Sequence, residues 1–175
     1  AQEVAARPGG SHNPLVIYGG GGTGKTHLLH AIGQASAANN VNVLCVSAER
    51  FTNEFVTSVC ERRTGEFHDR YRSVDMLLVD DLEFLSGKEQ TEESFFHTFD
   101  ELQNADRQIA LTCDRPPRSL EGLPPRLRSR LEGGMVALSL VHVVVPGVAA
   151  APWALLCPAW TCQAMLLVPL SLTMH

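Results

Sequence analysis

The sequence predicts an α/β fold of three layers, with a parallel β-sheet covered by helices on both faces. Three observations carry this expectation. Short apolar runs rich in branched residues alternate with longer segments of helical periodicity, the pattern of repeated β-then-α units. A run of glycines separates the first apolar run from the first helical segment. No internal repeat or low-complexity stretch interrupts this alternation before residue 133.

Taken in order, residues 1–7 have helical composition and stop at Pro8-Gly9-Gly10, as the end of a helix would. The sequence does not open with methionine, so we expect a fragment whose module begins earlier. Leu15-Val16-Ile17-Tyr18 is bounded by Asn13-Pro14 and by glycines and reads as a buried strand. Val43-Leu44-Cys45-Val46-Ser47, Met76-Leu77-Leu78-Val79-Asp80 and Ile109-Ala110-Leu111-Thr112 follow at intervals that leave room for helices, and residues 135–140 supply a candidate fifth strand. Between them, residues 25–38, 49–62 and 91–105 carry apolar side chains at helical spacing; Phe95, Phe96, Phe99 and Leu102 share one face. A sheet of this kind binds ligands at the carboxyl ends of its strands.

Composition narrows the function classes. The 14 basic and 19 acidic residues give a net charge of -5, which excludes a strongly basic protein that coats nucleic acid by charge alone but leaves room for a local basic face. Five cysteines, an odd number without a CxxC pair, argue against a disulfide framework and a zinc site, and imply a reducing, cytoplasmic setting. No secretory signal pattern opens the sequence. Every Asp, Glu, Lys and Arg lies between Glu3 and Glu132, and residues 133–175 have none.

Gly19-Gly20-Gly21-Gly22-Thr23-Gly24-Lys25-Thr26 fits G-x-x-x-x-G-K-[ST], after a strand and before a helix, where that motif works. Its glycines let successive backbone N–H groups turn inward around phosphates, and the helix beginning near Gly24 adds its positive dipole end. Lys25 is expected to reach the β- and γ-phosphates and Thr26 to hold a magnesium ion. About fifty residues on, Asp80 and Asp81 end an apolar strand as a Walker B pair does. Asp80 is expected to bind magnesium through water, and Asp81 to orient or deprotonate the attacking water. Leu111-Thr112-Cys113-Asp114-Arg115 fits either a sensor of hydrolysis beside the γ-phosphate or a plain strand exit. Arg115, Arg118, Arg126, Arg128 and Arg130 fit either a solvated basic helix or phosphate recognition.

Residues 13–19 and 24–33, with Ser47-Ala48-Glu49-Arg50-Phe51, Tyr71-Arg72-Ser73-Val74-Asp75, Asp80-Asp81, residues 93–99 and Leu127-Arg128-Ser129-Arg130-Leu131, resemble the bacterial DnaA family of replication initiators, which are AAA+ ATPases. The likeness runs over residues 1–138. Lys25-Thr26-His27-Leu28-Leu29 and Phe95-Phe96-His97-Thr98-Phe99 make it specific, because nucleotide chemistry alone does not demand them. The resemblance implies a P-loop NTPase core with a five-stranded sheet in the order 5-1-4-3-2. It implies that residues 19–27, His27 included, hold ATP or ADP with Mg2+, that Asp114 stands at the sensor 1 position, and that Arg130 is an arginine finger reaching the ATP of a neighbouring protomer. Arg126 matches a further arginine of the same motif. The helical insertion at residues 49–56, through Val56, together with Lys88, matches positions that hold single-stranded origin DNA. The partners implied are origin DNA, further copies of the chain, a replicative helicase and acidic phospholipids. ATP would act as a switch, reset by slow hydrolysis.

Departures matter too. Gly21-Gly22-Thr23 adds flexibility where the family more often has Thr-Gly-Leu, and Gln90 stands where some members carry arginine. An adenine-cupping N-terminal segment, a helical lid and a duplex-reading domain are not recognisable. Agreement fades near Ala137, so the sequence divides into a partial nucleotide-binding domain, 1–138, and an uncharged tail, 139–175. That tail fits a reading-frame slip, suited to a gene whose product has 12 Arg against 2 Lys, or a membrane segment, which Pro146, Pro152, Pro158 and Pro169 oppose. The alternatives to an initiator are an AAA+ regulator or helicase loader without origin recognition, and a non-functional fragment.

Overall fold

The computed structural model of the 175-residue chain describes residues 2–6, 8–10 and 12–139. Apart from Ser139, the uncharged tail lies outside the described residues. A short first helix, α1 (Gln2–Ala6), precedes β1 (Leu15–Tyr18) and α2 (Lys25–Ala37). Then come β2 (Val43–Ser47), α3 (Ala48–Cys60), α4 (Thr64–Arg72), β3 (Met76–Asp80), α5 (Glu89–Asn104), β4 (Gln108–Cys113), α6 (Pro125–Glu132) and β5 (Met135–Leu138), with short 3-10 turns at Leu82–Leu85 and Pro117–Ser119. All five strands are parallel, in the order β2-β3-β4-β1-β5, which is the expected 5-1-4-3-2 read from the other edge.

Strand alternation divides the core. Val16, Val46, Leu77, Val79, Ile109, Leu111 and Cys113 point to one face and pack with Phe51, Phe67, Tyr71, Phe95, Phe99, Leu102, Leu127 and Leu131 of α3–α6. Leu15, Ile17, Met76, Leu78 and Ala110 point to the other and pack with Val4, Ala5, Leu29 and Ile32 of α1 and α2. Gly33 lets α2 lie close to the sheet, since a Cβ there would stand 2.6 Å from the Leu78 methyl. The Asn13 side chain locks β1 to β4, donating to the Arg107 carbonyl at 2.7 Å and accepting from the Ile109 N–H at 2.9 Å.

The helices follow their sequence logic. Ser47 caps α3, its hydroxyl accepting from the Arg50 N–H at 3.1 Å. In α5, Phe95, Phe99 and Leu102 recur at i, i+4 and i+7 and are buried, while Phe96, one residue off that stripe, is only half-buried. The helix α4 was not anticipated; its polar composition offers only Phe67 and Tyr71, four apart, as a buried pair. No described helix is long and apolar enough to cross a membrane.

Candidate nucleotide site

The glycine loop connects the carboxyl end of β1 to the first turn of α2. Gly22 and Gly24 adopt φ values of 75° and 81°, left-handed conformations that glycine enters without the clash a Cβ brings. The Thr23 hydroxyl donates to the Gly20 carbonyl at 2.9 Å, closing the turn on itself. The loop is also fastened from β5: the Ser139 hydroxyl donates to the Thr23 carbonyl at 2.8 Å, and the Ser139 N–H to the Tyr18 carbonyl at 2.7 Å. No side chain caps α2, so the N–H groups of its first turn are unclaimed by a capping residue.

Lys25 is buried at the base of this loop, with its ammonium donating to the Gly19 carbonyl at 2.9 Å and the Gly20 carbonyl at 3.1 Å. Of its three N–H groups, one remains for an anion. Thr26 and His27 follow on the exposed side of the helix start, and Gly20, Gly21 and Gly22 are also exposed. Left-handed glycines, an uncapped helix N-terminus and a buried ammonium with an N–H to spare are groups suited to an anion.

Beside it, Asp80 ends β3, and Asp81 takes φ 55°, ψ 58°, a left-handed conformation uncommon for a residue with a side chain. Burial pushes the Asp81 carboxyl above its ordinary range, the charges of Asp80 and Asp114 add to that, and Lys25 opposes it. Lys25, Asp80 and Asp114 thus all lie within electrostatic range of Asp81.

Sequence reasoning missed the group that joins them. The Thr112 hydroxyl donates to Asp80 Oδ1 and accepts from the Asp81 N–H at 2.9 Å, so one buried side chain on β4 fixes the Asp80 carboxylate and the Asp81 backbone. The signal was present in the polar end of the fourth apolar run. The expected strand order already set β4 between β1 and β3, but nothing in it showed which of residues 111–115 meets the carboxylate pair. Asp114, by contrast, is bound by the Arg115 guanidinium, with the closest contact at 2.9 Å. It reaches Asp81 through its charge, not through a hydrogen bond. Glu83, on the 3-10 turn after Asp81, was also missed; burial first, then Asp114 and Asp81, raise its carboxyl. Burial pushes the neighbouring Cys113 thiol up to about 12, which keeps it protonated and inert.

Arg130, Val56 and Lys88 lie elsewhere. Arg130, in the last turn of α6, is paired with α5: its Nη2 is 2.7 Å from Asp100 and its Nη1 donates to Gln103 at 3.3 Å. Val56 is 51% exposed on α3, and Lys88 precedes α5 with its ammonium 5.9 Å from the ring centroid of Phe84, which is itself 48% exposed.

For a magnesium ion, the residues present fit. Thr26 and Asp80 carry hard oxygen donors, the kind that magnesium takes beside its own waters and phosphate oxygens.

Relatives include the chromosomal replication initiator protein DnaA of Cutibacterium acnes, 57% identical over 138 residues, and that of Thermomicrobium roseum, 52% identical over 139 residues; each alignment covers 78% of this chain. The chain spans 28% and 30% of the lengths of those relatives. Among solved structures, a DnaA bound to AMPPCP and single-stranded DNA superposes with a TM-score of 0.77 at 41% identity, covering 82% of this chain and 44% of that one. AMPPCP-bound DnaA from Aquifex aeolicus gives 0.77 at 43%, covering 79% of this chain and 44% of that one. The DnaI and DnaC structures, 22% and 15% identical, share the fold alone. Residues 1–138 match the model of the bacterial DnaA ATPase domain, and with the phosphate loop, strand order and carboxylate pair in place, this chain belongs to that family.

Proposed function

We infer that the chain binds ATP in the residue 19–27 loop and serves as the nucleotide-switched module of a chromosomal replication initiator, assembling with further copies on origin DNA. The observation that carries this reading is the convergence of the buried Lys25 ammonium, the uncapped start of α2 and the Asp80–Thr112–Asp81 cluster at one end of the sheet. The likeness to DnaA structures holding AMPPCP supports the nucleotide, and the one holding single-stranded DNA supports the DNA.

Each residue then has a defined task. Loop amides and Lys25 bind the phosphates, and Thr26 and Asp80 would hold a magnesium ion. Bound there, the ion would neutralise charge on the β- and γ-phosphates. Asp81 is the group that orients and takes a proton from the attacking water, and its raised affinity for a proton suits a base. Thr112 keeps Asp81 in its left-handed conformation, and Asp114 adds negative charge to the same corner. Arg130 is the finger offered to a neighbouring protomer. The exposed Val56 and Lys88 are the side chains offered to single-stranded DNA, and the cytoplasm is the compartment that fits this role.

Isothermal titration with ATP and Mg2+ tests the reading. Lys25→Ala is expected to weaken ATP binding by at least about tenfold, the loss of one charged hydrogen bond. Unchanged affinity removes the assignment of the loop.

A further inference from the structure

The two arginines of α6 that stand four residues apart both rest on α5. Arg126 forms an ion pair with Glu93 and lies over the Phe96 ring, its guanidinium carbon 4.4 Å from the centroid. Arg130 is 2.7 Å from Asp100 through Nη2 and donates to Gln103 through Nη1 at 3.3 Å. Their four partners, at positions 93, 96, 100 and 103, are spaced three and four residues apart and therefore form one stripe along α5.

We propose that Asp100 and Gln103 are a latch on Arg130, holding the guanidinium within its own protomer until a neighbour's triphosphate competes it away. The inference rests on the reading of Arg130 as the finger. A guanidinium grips phosphate through two parallel N–H bonds, and both terminal nitrogens of Arg130 are engaged on α5. The finger therefore exchanges partners on assembly and does not simply extend. The latch is built to open. Asp100 Oδ1 is shielded from solvent and in charge contact with Arg130 but has no aligned hydrogen bond, while Oδ2 is occupied by the Asn104 amide at 3.2 Å. The pair is partly solvated, with the Arg130 side chain 47% exposed, so releasing it costs little against a triphosphate.

Two measurements on the 175-residue chain test this. In the first, Arg130 is modified by phenylglyoxal without nucleotide and followed by peptide mass spectrometry. Asp100→Asn is expected to speed modification at Arg130 by about two- to fivefold, the value of such a pair, and an unchanged rate overturns the latch. In the second, self-association with ATP and Mg2+ is followed by sedimentation. Asp100→Asn is expected to lower the protein concentration at half-assembly about two- to fivefold and Gln103→Glu to raise it, with ATP affinity unchanged in both. The Asp100→Asn gain should vanish in an Arg130→Ala background, which separates a latch from a general change in helix packing. If Arg130→Ala abolishes assembly while Asp100→Asn leaves it unaltered or weakens it, the latch fails and the finger stands. If Arg130→Ala assembles normally, or the wild-type chain does not associate with ATP, the finger reading fails, and the coupling with it.

Discussion

The two faces of the sheet are built from different materials. Against α1 and α2 the core is aliphatic, made of Val, Leu, Ile, Ala and Met, with Gly33 allowing close approach. Against α3–α6 it is aromatic: Phe51 meets Phe67, Tyr71 and Phe95 edge-on, with centroids 5.1, 4.9 and 5.4 Å apart. The aliphatic face carries the helix that begins at the glycine loop. The thick aromatic face carries Val56 on α3 and the α5–α6 arginine rack, whose settings are made by side chains.

Substitutions can break or sharpen this contrast. Phe51 holds three aromatic neighbours, and Phe51→Ala should cost about 3–5 kcal/mol in urea unfolding. The matching truncation Ile32→Ala on the opposite face should cost less, toward the lower end of about 2–5 kcal/mol, and equal losses would erase the distinction. Next in size is Thr112→Val. It strands the Asp80 carboxylate and the Asp81 N–H, for a loss of about 1–3 kcal/mol, and should lower ATP turnover more than ATP affinity. A fall in affinity alone would show that Thr112 serves the grip rather than the chemistry.

Asp81→Asn should act in the opposite direction on stability, adding about 1 kcal/mol, or ~3 °C in melting temperature, while abolishing hydrolysis. Asparagine tolerates the left-handed conformation better and has no charge to bury. The sign follows from linkage. The folded chain holds the Asp81 proton more tightly than the unfolded chain, so stability is lost as pH rises from the ordinary carboxylate range through the raised folded value. The gain from asparagine should thus be full at neutral pH and shrink in acid. Smallest is Glu54, whose carboxylate accepts from Tyr71 at 2.7 Å, Arg50 at 2.7 Å and Arg70 at 3.0 Å. Burial alone would raise its proton affinity, but these three partners outweigh burial and lower it. Its contribution is present above the ordinary glutamate range and disappears as pH falls through the depressed folded value. Glu54→Gln should flatten that part of the acid unfolding curve.

Much of this was legible in the sequence. The central strands β1, β3 and β4 announced themselves as apolar runs because they are buried on both faces, and the glycine loop because its chemistry fixes residue types at fixed spacing. Thr112 was only half legible, since the polar run 111–115 and the strand order pointed to the right corner but did not single out the hydroxyl that bonds Asp80 and the Asp81 N–H. Ser139 is joined to Thr23 across 116 positions, a separation that no local pattern encodes. The Asp100–Arg130 pair is equally non-local, joining two helices with a strand between them in the chain.

Placing β4 between β1 and β3 acts as a ruler. With strands about 4.8 Å apart, the loop after β1 and the carboxylates after β3 stand about 10 Å from each other, a gap set by main-chain hydrogen bonding. Side-chain exchange can change what lines that gap but not its width. The intervening strand meanwhile presents its own terminal residues to whatever spans the two sides.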